Sequence, residues 1–78
     1  MKLKQIGSNQ TELATNGMVV FFSYETPVAA RLASGALLRT SAKYSVTTTK
    51  HLNKWIDGWP AVLVDQSVID NLTNEVTA

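Results

Sequence analysis

Met18-Val-Val-Phe-Phe-Ser-Tyr24 decides the fold, because it is the one stretch apolar on both of its alternating faces. In an extended strand Val19, Phe21 and Ser23 point one way and Val20, Phe22 and Tyr24 the other. An antiparallel sheet with one wet face would carry polar residues in one of these sets, and neither set is predominantly polar. The stretch is therefore read as a central strand. Three arrangements account for it: both faces covered within the monomer, one face buried in an oligomer, or one face left for a partner.

Immediately upstream, Asn16-Gly17 supplies the two positive-φ residues of a type I′ turn, which predicts a two-residue hairpin with Thr15 and Met18 as its flanks. Thr11 to Thr15 is then the partner strand, and Lys2 to Ile6, closed by Gly7-Ser8-Asn9, a short edge strand. Downstream, Pro27 lacks a ladder donor and biases Thr26 to extended geometry, so Thr26-Pro27 is expected to bend or break the chain. Val28 to Ala33 and Ala36 to Thr40 read as a hairpin about Ser34-Gly35, although Ala, Arg and Leu in this span also suit a helix. Lys43 to Val46 is read as a further short strand.

From Thr47 the period changes. Leu52, Trp55, Ile56 and Trp59 recur at helical spacing, with Thr47 or Thr48 as the expected cap and Gly58 and Pro60 as the stop. Lys50, His51 and Lys54 lie off this stripe and are expected to face water. Ala61 to Val64 is a short, extended link, after which Asp65 caps a second helix with Val68, Ile69, Leu72 and Val76 on its apolar face. The expected architecture is a single α+β domain over residues 1–78. Residues 1–46 are mainly β, a small antiparallel sheet of four to five strands with a hairpin at Asn16-Gly17; helices follow at 47–58 and 65–76, packed on one face.

Composition bounds the chemistry. At 78 residues there is room for one modest core, and 45% hydrophobic with 17% charged residues is ordinary for a globular chain. Without cysteine there is no disulfide, thiol nucleophile or thiolate metal site. The start of the chain has no apolar signal-peptide block and no run long enough to span a bilayer, so an intracellular protein without membrane contact is expected. All seven Lys and Arg lie at or before Lys54, opposed there only by Glu12 and Glu25, whereas Asp57, Asp65, Asp70 and Glu75 follow with no cation.

Catalysis finds little support. The sole histidine, His51, has no acid four residues away to orient it, and one histidine with scattered carboxylates makes no ligand cluster. No catalytic, metal or cofactor residues are assigned, and the chain is not expected to be an enzyme. What remains is a basic helix start. Arg39, Lys43, Tyr44, Lys50, His51 and Lys54 form a candidate surface for a partner or nucleic acid, where free amides and cations would take phosphate and Tyr44 would stack on a base. Val20, Phe22 and Tyr24 form a candidate apolar interface.

Three pieces, Lys4-Gln-Ile-Gly-Ser-Asn-Gln-Thr-Glu12, Val20-Phe-Phe-Ser-Tyr-Glu-Thr-Pro-Val-Ala-Ala30 and Tyr44-Ser-Val-Thr-Thr-Thr-Lys-His-Leu-Asn-Lys-Trp55, together resemble a family of small proteins of tailed bacteriophages with no assigned activity. The resemblance implies a phage-encoded accessory protein acting in the host bacterial cytoplasm. The expected function is non-enzymatic: binding, and thereby inhibiting or redirecting, a host macromolecule of defence, replication or transcription. A host protein is the first expected partner, nucleic acid the second, and self-association into a structural homo-oligomer the third.

Overall fold

A computed structural model describes the backbone of residues 2–7, 9–15 and 17–77 and, within these, the side chains of all but Lys2, Thr15 and 74–77. The chain is α+β: strands β1 (Lys2–Gly7), β2 (Gln10–Thr15), β3 (Met18–Ser23), β4 (Thr26–Arg31) and β5 (Leu37–Thr40), helix α1 (Val46–Ile56), strand β6 (Val62–Val64) and helix α2 (Gln66–Thr77). One sheet holds all six strands in the order β1-β2-β3-β4-β5-β6. Neighbours are antiparallel except the last pair, in which β6 runs parallel to β5.

Each turn follows from local chemistry. Thr15 pairs with Met18, leaving the expected two-residue link; Gly17 has φ 80°, and Asn16 lies outside the described residues. Between β3 and β4 the link is Tyr24-Glu25, with Tyr24 at φ 58°, a left-handed backbone uncommon for a bulky side chain. Thr26-Pro27 bends the strand and does not break it. The β3–β4 register shifts there, Phe21 opposing Ala29 and Phe22 opposing Pro27, so Val28 is the extra residue of a bulge. Bulges are where a sheet tolerates a proline. Residues 28–38 form the expected hairpin and not the helix.

The main departures lie after Thr40. Lys43 to Val46 is no strand, because Ser45 caps α1: its Oγ accepts from the Thr48 N–H at 3.2 Å, and its carbonyl accepts from Thr49 N–H at 3.1 Å. The helix begins at Val46 and stops at Asp57, which takes the left-handed conformation at φ 52°; Gly58 follows at φ 78°. Trp59 therefore falls beyond the helix and is 69% exposed. Ala61 to Val64, expected as a link, contributes β6 and brings the sheet to six strands. A parallel pair requires a crossover, and α1 is that crossover. The helices are thus separated by a strand.

They also cover opposite faces, not one. Phe21 and Ala29 pack with Leu52 and Ile56 of α1, whereas Val20, Leu13 and Ala30 form a second cluster with Met18, Phe22 and Leu72 of α2. Adjacent residues of one strand face opposite ways, so the two clusters lie on the two sides of the sheet. This accounts for the doubly apolar central strand within one chain. Trp55 stacks on Phe21 with ring centroids 5.1 Å apart, and its Nε1–H donates to Glu12 Oε2 at 2.6 Å. On the other side Gln66 Nε2 donates to the Pro27 carbonyl at 2.7 Å.

Candidate functional site

His51 is not the solvated histidine that its sequence neighbours suggest. It is half-buried, with Nδ1 2.9 Å from Ser23 Oγ and its ring 6.0 Å from that of Tyr24. Ser23 Oγ donates to Thr48 Oγ1 at 3.1 Å, and Ser45 Oγ donates to the same oxygen at 3.3 Å. Ser23 Oγ therefore joins both Thr48 and His51, and the donor in the histidine contact depends on the tautomer of the ring. Ser23 is also only 1% exposed, so no substrate carbonyl can approach its oxygen. The cluster is a polar tie that fixes α1 to β3.

The basic residues divide. Arg39, Lys43 and Tyr44 line one groove between the end of β5, the segment 41–45 and the first turns of α1, together with Val46, Thr49, Leu52 and Leu63. The groove measures about 520 Å³, and no carboxylate among the described residues lines it. Lys50 and Lys54 are exposed on α1 outside this groove, and His51 faces Ser23, so the six do not form one surface. The candidate apolar interface fails for a different reason. Val20 is fully buried and Phe22 packs in the same cluster under α2, while Tyr24, 48% exposed, sits on the β3–β4 turn.

Exposed apolar side chains lie at both edges of the sheet, Leu3 and Ile6 on β1 and a second group at β6. Val62 and Leu63 are 60% and 64% exposed on the outermost strand, Trp59 precedes them, and Tyr44 and Val46 stand across the groove from Leu63. The Val64 carbonyl accepts from Ser41 N–H at 2.8 Å and so faces β5. By strand alternation, Leu63 turns its N–H and C=O outward, where no strand of the described residues pairs with them. This edge was missed in the sequence because three residues are too few to show a period. Its signal, a Val-Leu-Val run between a helix stop and a helix start, was visible only as a link.

A second groove, of about 470 Å³, holds both tryptophans with Glu12, Arg31 and Asp57, charges of both signs. Among the described residues no group of three or more His, Asp or Glu could hold a metal ion, and no helix is long and apolar enough to cross a membrane. Over residues 1–71 the sequence matches a family model described as a family of unknown function, DUF8033, and the chain belongs to that family. No curated protein and no solved structure matches it.

Proposed function

We propose that this member of a family without an assigned activity is a non-enzymatic binding protein that docks a protein partner along the β6 edge. The observation that carries the reading is the contrast between the two edges of the sheet. The β1 edge exposes Leu3 and Ile6 but also carries Lys4 and a register irregularity between Gln5 and Gly7, both devices that discourage pairing with another chain. The β6 edge has neither, though it is only three residues long, and presents Val62 and Leu63. An apolar edge with outward N–H and C=O groups is a template for strand addition. The burial of Ser23 supports a non-hydrolytic reading.

The finer reading follows from the phage-like sequence pattern: a phage-encoded accessory protein that inhibits or redirects a host macromolecule in the host bacterial cytoplasm. Capture from a bacterial lysate by the wild type and by Leu63→Asp tests it. The wild type retains a specific protein that Leu63→Asp loses; equal retention by both, or a measured turnover without any partner, contradicts the reading. Nucleic-acid binding is the second reading, favoured by Arg39, Lys43 and Tyr44 in one groove. It predicts affinity that falls steeply with salt, and flat salt dependence removes it.

A further inference from the structure

Arg39 Nε is buried and has no hydrogen-bond partner among the described residues. A buried donor without a partner is costly and calls for an explanation. The other such atom, Gln66 Oε1, belongs to an amide whose nitrogen already donates to Pro27 O and, at 2.9 Å, to Asp70 Oδ1. Arg39 has no comparable engagement, and the groove it lines adds the cation Lys43, the hydroxyls of Thr40, Ser41 and Thr49, and, among the described residues, no acid. Glu12, on the same face of the sheet, is held by Trp55.

The location is independent support. β5 and β6 are the parallel pair of the sheet, and the groove sits where β5 ends and the crossover helix begins. Ligands of sheets with such crossovers bind outside the carboxyl ends of parallel strands, where amides at the helix start favour negative charge. Apart from Thr48, the remaining lining, which includes Tyr44, Val46, Leu52 and Leu63, is mainly apolar. A phosphate backbone would leave that surface without a use, and a net charge of +1 is low for a nucleic-acid binder.

We propose that the groove receives the carboxylate side chains of an acidic, leucine-type extended segment of the partner protein, laid along β6 as an added strand. The proposal rests on the docking edge inferred above. Strands lie about 4.8 Å apart, so the Cα atoms of the added strand and of β5 are separated by about 10 Å, a span that glutamate and arginine side chains cover together. Side chains on the α1 face of the added strand alternate between Leu63 and the cations, while its backbone meets the outward N–H and C=O of Leu63.

The test uses a synthetic peptide of about ten residues alternating glutamate and leucine, its glutamine–leucine counterpart, and single-stranded oligo-dT, titrated into labelled protein while the Arg39 Nε–H resonance is followed. The expected result is a shift of that resonance by the acidic peptide, binding about tenfold or more tighter than the glutamine peptide, and loss of most of that difference in Lys43→Gln. Lys43 is exposed, so its replacement does not act through folding. Equal binding of the two peptides, or an unmoved Arg39 resonance, overturns the proposal; tighter binding of oligo-dT replaces it with nucleic-acid recognition. If Leu63→Asp retains the charge preference at full affinity, the groove stands and the edge reading fails. If a lysate partner depends on Leu63 but not on Lys43 or Arg39, the reverse holds.

Discussion

Ser23 ties β3 to α1. Its oxygen joins Thr48 and His51 while almost wholly buried, so Ser23→Ala strands two polar groups and should lower unfolding free energy by about 1–3 kcal/mol, measured by urea denaturation. A cost near zero would mean that the tie does not form. Trp55→Phe keeps a ring over Phe21 but removes the donor to Glu12, and should cost about 1–2 kcal/mol in the same assay. At this scale the stretch 18–24 was legible as a central strand, but Val20, assigned to a candidate apolar interface, is buried core instead. The place of His51 was not legible, because its partner Ser23 is 28 residues away in the chain.

At the scale of elements, α1 ends in a non-glycine residue with a left-handed backbone. Asp57→Gly removes that strain and should raise stability by about 0.4–1 kcal/mol by thermal or urea unfolding; a loss of stability would show that the aspartate side chain matters to the cap. The β6 edge makes the opposite kind of prediction. Leu63→Asp, on a side chain 64% exposed, should change stability by no more than about 0.5 kcal/mol while abolishing partner docking. Turn chemistry carried the legible part here: the two-residue link after Thr15 and the glycine at 17 set the β2–β3 register. The start of α1 was misplaced because Ser45, Thr47 and Thr48 are all competent caps, and only the position of Ser45 against Thr48 N–H distinguishes them.

For the whole molecule, the doubly apolar central strand is explained by a helix on each face of one sheet. Ile69, fully buried on α2, should cost about 2–5 kcal/mol when replaced by alanine, a loss expected only if α2 closes its face of the sheet; a cost below 1 kcal/mol would detach α2 from the fold. The α+β class was readable from a strand-rich front and helical periods after Thr47. The side that each helix takes was not, since it depends on β6 lying parallel to β5 and forcing α1 to cross over. The candidate site shared that fate: Arg39, Lys43 and Tyr44 were singled out by type, but their separation from Lys50 and Lys54 follows from the crossover.

Docking on the β6 edge is the central claim, and backbone hydrogen exchange of the protein with and without its captured partner tests it most directly. The account predicts slowed exchange concentrated at 62–64 and 41–46, including the outward Leu63 amide. Protection confined to β1, or to the exposed ridge of α1 that carries Lys50 and Lys54, would contradict it.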